Sequence, residues 1–307
     1  MRYSVIIPAF NRADWLVEAI NSVYAQNHSS IEIIVVDDGS TDNTRPLITG
    51  KFPGIHYLYQ ENQGPSAARN RGIQAATGEI VALLDSDDLW LPGKIAHELA
   101  LFQQFPSAGA LAGNARSYVL SQLRCLDTFQ QRGIDFPNQQ PRLFDWEIRI
   151  MELGPTCCTS AMVFKRSTLD SLGKEPFDNN LRFNEDWDLE FRLFSLHQVI
   201  LYPEIYCRRR IFDDGTRCHY PLIPDRATDQ QQREILNQQH RILGRYINTL
   251  NWDAATRRRF EHRRSLLQDD LSTLDNCNQP ARSLPDLRLF RPKSQKERPI
   301  FSMNSIK

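Results

Sequence analysis

The chain has 307 residues, 41% of them hydrophobic, enough to bury a sizeable core as one large domain or as one domain with an appendage. Lys plus Arg and Asp plus Glu both total 37, so the charge balance gives no global argument for nucleic-acid binding, and any charged patch must be local. No apolar run reaches membrane-spanning length, and the opening MRYSVIIPAF is interrupted by Pro8 and Asn11 too early for a secretory signal, so a cytoplasmic location is expected.

In chain order, the first half alternates strand-like and helix-like segments, the pattern of a mostly parallel sheet flanked by helices. YSVII reads as a strand, and ADWLVEAINSVYAQ as a helix whose Leu16, Ala19, Ile20 and Val23 form one apolar stripe. IEIIVV is a buried, β-branched strand that stops at DDGSTDNT, where Ser, Thr and Asp supply helix-start chemistry. HYLYQ is a third, weaker strand. GPSAARNRGIQAATG reads as a small-residue helix with Pro65 in its first turn and Gly78 past its end. EIVALL is the fourth strand.

The middle is less regular. AGALAGNARSYVL and TSAMVF read as strands, RLFDWEIRIM as a helix, FPNQQP as a surface loop, NEDWDLEFRLFSLH as a helix and VILYPEIYCRRR as a strand. Residues 1–224 are expected to form one α/β domain and 225–278 an αα-hairpin. Its stripes are Ile235, Gln239, Ile242 and Tyr246, then Phe260, Leu267, Leu271 and Leu274. Residues 279–307 are expected to be a disordered basic tail; Arg288 to Lys307 hold six Lys or Arg against one Glu, a net +5. That charge raises the question of a weak peripheral contact with the inner face of a membrane, against a merely solvated tail. The six cysteines, Cys125, Cys157, Cys158, Cys207, Cys218 and Cys277, show no CxxC spacing, so they read as free thiols, mostly buried.

Two acidic clusters follow the carboxyl ends of predicted strands: Asp37 and Asp38, then Asp85, Asp87 and Asp88 within four positions. In open α/β sheets that edge is where ligands bind. Carboxylates this close raise one another's pKa unless a cation or hydrogen-bond donors compensate them, so a divalent metal is one natural occupant and a capped turn the bland alternative.

Taken together, SVIIPAFNR, IIVVDDGSTDNT, NQGPSAARNRGI, VALLDSDDLW and NEDWDLEFRL resemble the family 2 glycosyltransferases of GT-A fold, over roughly residues 1–215. The resemblance implies inverting transfer of a sugar from a nucleoside diphosphate sugar, a UDP-sugar first, to a glycan, lipid-linked or other hydroxyl acceptor, with Mn2+ or Mg2+. It implies that Pro8, Ala9, Phe10 and Asn11 flank the base, that Asp37 and Asp38, just beyond a buried strand, accept from a ring N–H of the base, and that Arg69 reaches it from the neighbouring helix. DSDD matches the segment whose aspartates hold the ribose and the metal: Asp85 for the ribose, Asp87 as ligand, and Asp88 as a second candidate. Hard oxygen ligands suit Mg2+ or Mn2+ rather than Zn2+. An inverting displacement needs a base opposite the leaving group, and NED supplies Asp186 with Glu185 beside it, against a reading in which both only cap a helix. RRRIFDDGTRCHYP departs from the family's basic, His-containing segment; His219 is a candidate third ligand or a solvated loop histidine. Arg208 to Arg210 balance phosphates or end a strand.

No glycine-rich loop follows strand one, which argues against a nucleotidyltransferase and a dinucleotide-binding dehydrogenase. A phosphate-receiver module would have no use for NED. A non-catalytic nucleotide- or metal-binding protein, or a degenerate transferase serving as scaffold, is the remaining alternative.

Overall fold

The computed structural model describes residues 1–119, 124–144, 157–211, 229–249 and 254–276. The first half runs β1 (Tyr3–Ala9), α1 (Ala13–Tyr24), β2 (Ile31–Asp38), α2 (Thr44–Lys51), β3 (His56–Gln60), α3 (Pro65–Ala75) and β4 (Ile80–Leu83). There follow β5 (Leu89–Trp90), α4 (Lys94–Gln104), β6 (Ala108–Val119), β7 (Arg124–Asp127), the single turn α5 (Thr128–Gln131), β8 (Arg142–Leu143), β9 (Met162–Lys165) and α6 (Arg166–Ser171). The described chain ends with α7 (Glu185–Leu196), β10 (Gln198–Ile211), α8 (Asp229–Thr249) and α9 (Ala254–Asn276).

One mixed sheet organises these elements, in the order β3-β2-β1-β4-β9-β6-β10-β5, with β7 beside β6 and β8 beside β10. β1, β2, β3 and β4 pair in parallel, and so do β6 and β10; β9 runs antiparallel between β4 and β6. Both faces are buried, which is why β1 and β2 carry nearly unbroken apolar runs. Alternate residues serve opposite layers: Val5, Ile7 and Val35 pack with α1 and α4, whereas Ile6, Ile34 and Val36 pack with α3 and the α7–α8–α9 side. Gly72 lets α3 approach the sheet closely, since a Cβ there would lie 2.3 Å from Ile6 Cγ2.

The α1 stripe Leu16, Ala19, Ile20 and Val23 is buried as its spacing predicts. Ile235, Gln239, Ile242, Tyr246, Phe260, Leu267 and Leu271 are buried too, and Ile242, Tyr246, Phe260, Leu267 and Leu271 share one cluster with Trp187 and Phe191 of α7. The hairpin therefore packs into the main core. FPNQQP forms a turn of 3-10 helix at Pro137–Gln139 on the surface.

Three segments differ from expectation. Arg142 and Leu143, at the head of the segment expected to be helical, instead form β8 against β10, where Phe144 N donates to Val199 O at 2.9 Å, and residues 145–151 of that segment lie outside the described residues. Open backbone groups on that side of β10 outweigh the helical spacing of the side chains. Thr159–Ala161 form a 3-10 turn, and the strand starts only at Met162. Helix α4 was not anticipated, because two of its buried positions are Lys94 and Glu98. Cys157, Cys158 and Cys207 are buried free thiols.

Candidate active site

The site is built at the carboxyl edge of β1, β2 and β4, where the parallel register sets Ala9 beside Asp37 and Asp37 beside Tyr59. The side chain of Asn11, at φ 51°, accepts from the backbone N–H groups of Thr41 (2.8 Å) and Asp42 (3.3 Å). Asn11 N donates in turn to Ser40 Oγ at 3.0 Å. These bonds tie the loop after β1 to the loop after β2. Phe10, between them, is 45% exposed and offers an open aromatic face at the mouth of the site.

Asp37 and Asp38 point to opposite sides of β2, as successive strand residues must. Asp37 accepts from Ser40 N at 2.8 Å and from the Tyr57 hydroxyl. Asp38 accepts from Gln60 Nε2 (2.7 Å), Gln63 N (2.9 Å) and Gly64 N (2.8 Å), so it shapes the entry into α3. Gly39 follows at φ 83°, where an L side chain is strained and a Cβ would lie 2.8 Å from Asn62 N.

The second acidic cluster leaves β4 in a turn closed by Asp88 N donating to Asp85 O at 3.0 Å. Asp88 is 1% exposed; its carboxylate accepts from Ser160 Oγ (2.7 Å) and Arg210 N (3.2 Å). Burial, and then the neighbouring Asp85, push its pKa up to about 7. Ser160 Oγ also accepts from Asp85 N at 3.0 Å, and Ser160 O accepts from Trp90 Nε1 at 2.9 Å. Nothing in the sequence singled out Ser160, a small polar residue at the head of an apolar run.

Register shifts in β10 between Tyr202 and Ile205, and between Ile205 and Cys207, re-aim its last residues, as bulges do. Arg210 is pinned: its guanidinium donates to Asp87 O at 3.1 Å, pairs with Glu18 and stacks 4.3 Å from the Trp15 ring centroid. Arg208 lies over Tyr118. Arg209 lies close enough to favour the ionised forms of both Asp88 and Asp186.

Arg69 sits at the centre, 5% exposed. Its Nη1 donates to Glu185 Oε1 at 2.8 Å and its Nη2 to Asp85 Oδ1 at 2.9 Å. The guanidinium thus spans the two acidic segments, 16 and 116 residues away in sequence. Glu185 and Asp186 open α7 after Asn184, which holds a left-handed φ of 59°. Burial raises the pKa of both acids; Arg69 opposes it at Glu185, and the Trp187 backbone N–H, 2.8 Å from Asp186 Oδ1, opposes it at Asp186. His219 lies outside the described residues.

Among the described residues no three His, Cys, Asp or Glu side chains form a ready-made metal cage.

Residues 4–172 match the family described as Glycosyl transferase family 2. An uncharacterized glycosyltransferase of Nostoc sp. is 39% identical over 180 residues, covering 56% of this chain and 53% of that protein. The chain thus matches about half of that relative's length. Among solved structures, S. aureus TarS in complex with UDP-GlcNAc superposes with a TM-score of 0.62 at 17% identity, over 89% of this chain and 72% of that one. The mannosyltransferase PcManGT from Pyrobaculum calidifontis, in complex with GDP-Man and Mn2+, gives 0.59 at 20% identity, over 89% and 73%. The fold described above is the GT-A type, and the chain belongs to glycosyl transferase family 2.

Proposed function

We propose that the protein transfers a sugar, with inversion, from a nucleoside diphosphate sugar to a hydroxyl acceptor. The observation that carries this reading is the Arg69 bridge from Asp85 to Glu185, which joins the DSDD and NED segments at the edge where an α/β sheet binds ligands. A UDP-sugar is the first donor to test, on the likeness to TarS.

Phe10 offers a face for the nucleotide base, with Pro8, Ala9 and Asn11 shaping its surroundings and Asp37 or Asp38 accepting from its ring N–H. Asp85 takes the ribose. Asp87, with Asp88 behind it, would hold Mg2+ or Mn2+. When bound, that cation neutralises the diphosphate and stabilises the charge of the departing nucleotide. Arg69 already occupies one oxygen of Glu185 with an ion pair, which leaves Asp186 as the residue that takes the acceptor's hydroxyl proton. The acceptor is a glycan, a lipid-linked sugar or another alcohol.

The test is a screen of nucleotide sugars with Mn2+ or Mg2+, reading nucleoside diphosphate release and the product anomer by NMR, for the wild type and Asp186→Asn. Asn keeps an acceptor oxygen for the Trp187 backbone N–H but does not accept the proton. Turnover is expected to fall on the order of 100-fold or more with donor affinity kept. Near-normal turnover in Asp186→Asn, or a product of retained configuration, overturns the assignment.

A further inference from the structure

The acid pair at the head of α7 is held from outside the sheet. One residue before Asn184, the backbone N–H of Phe183 donates to Gln238 Oε1 of α8 at 2.9 Å, with Gln238 4% exposed. Two residues after Asp186, Asp188 is fully buried. Its Oδ1 accepts from Arg245 Nη1 and Tyr246 Oη, both at 2.9 Å and both from α8. Its Oδ2 accepts from Arg192 of the same helix at 2.8 Å. Arg245 extends the grip to Asp178 Oδ2 at 2.9 Å, and Phe191 stacks on Tyr246 with centroids 5.0 Å apart.

These contacts bracket residues 184–187 on both sides within a span of six residues. The bracketed segment needs holding. Asn184 is 5% exposed in a left-handed conformation, and neither amide atom of its side chain has a hydrogen-bond partner. A buried unsatisfied amide and a left-handed non-glycine residue each cost free energy, and they persist only where the surroundings enforce them. No local cap does so, since α7 begins without a side-chain cap hydrogen bond.

We propose that the α8–α9 hairpin is a brace for the acid pair, with Gln238, Arg245 and Tyr246 as positioning residues that set where Glu185 and Asp186 stand relative to the donor. The hairpin, like the acid pair it holds, lies outside the segment that matches the family. The proposal rests on the reading of Asp186 as the base only for its effect on turnover; the mechanical claim stands apart from it.

The experiment compares Gln238→Met with Arg245→Met and Tyr246→Phe, singly and combined, in the full chain. Ile48→Ala, buried in the apolar cluster on the opposite layer of the sheet, serves as the stability control. Hydrogen exchange of the peptide spanning 183–193 is read alongside kcat, donor KM and thermal midpoint. The combined variant is expected to speed exchange in that peptide and to lower kcat on the order of 10- to 100-fold, with donor KM within about twofold, because small misplacements of a reacting group are costly. Ile48→Ala should lower the midpoint with kcat kept. Unchanged exchange in 183–193, or an equal fall of kcat in Ile48→Ala, overturns the brace. Faster exchange in the combined variant, with turnover kept there and in Asp186→Asn, upholds the brace and removes Asp186 as the base.

Discussion

Arg69 connects two carboxylates that would otherwise repel, and its removal strands both. Glu185 is 14% and Asp85 26% exposed at the side chain, so neither is freely hydrated once the guanidinium is gone. Arg69→Met is expected to destabilise the fold by on the order of 3 kcal/mol, read as a shift in the urea midpoint at unchanged slope. Arg69→Lys should recover only part, because an ammonium does not span two partners as a planar fork does. The pH profile follows from the burial that raises the pKa of Asp186. Accepting a proton requires the ionised form, so kcat/KM is expected to fall as pH drops through a value above the ordinary aspartate pKa of about 3.9. A limb at or below that value would show that some other group titrates. The positions of the acids were legible in the sequence as strand-end clusters. The bridge between them was not, because no local pattern encodes contact between residues 69 and 185; the expectation for Arg69 concerned the nucleotide base.

Among the elements, those with uniform chemistry were legible and those built on buried charge were not. β1, β2, α1 and the hairpin stripes announce themselves through apolar periodicity. Helix α4 hides because Lys94 and Glu98, an i,i+4 pair, are fully buried. Glu98 also accepts from the hydroxyls of Tyr3 and Tyr202, at 2.5 and 2.7 Å, and the Lys94 ammonium sits 4.4 Å from the Trp90 ring centroid. Trp90 belongs to β5, directly after the acidic turn, so this network anchors that turn from the opposite face of the sheet. Lys94→Met is expected to cost roughly 3–5 kcal/mol by leaving Glu98 buried without its cation. Adding Glu98→Gln should cost less than the sum of the two single changes, since the stranded charge is then gone. Denaturant titration of the three variants checks both statements. Additive losses would show that the two residues do not share one network.

On the scale of the whole molecule, no helix among the described residues is long and apolar enough to cross a membrane. Residues 288–307 carry a net +5, and each cation near an anionic surface contributes about 1 kcal/mol at low salt. Full-length protein is expected to co-sediment with phosphatidylserine vesicles at low salt and to release as salt rises, whereas a chain ending at residue 278 should not bind. Equal sedimentation of the two would end the idea. The sheet order has a consequence for biogenesis. β10 is the last strand among the described residues yet lies next to β6, with β5 on its other side. Until residue 211 has left the ribosome, β6 has no parallel partner on that side, and Asp88 lacks the backbone donor at Arg210. A nascent chain that has completed β9 therefore still presents an open strand edge, the kind of surface that invites pairing with a neighbouring chain. Synthesis through α7 and β10 is thus the step that turns an aggregation-prone intermediate into a finished sheet, and pauses before that point are where chaperone dependence should concentrate.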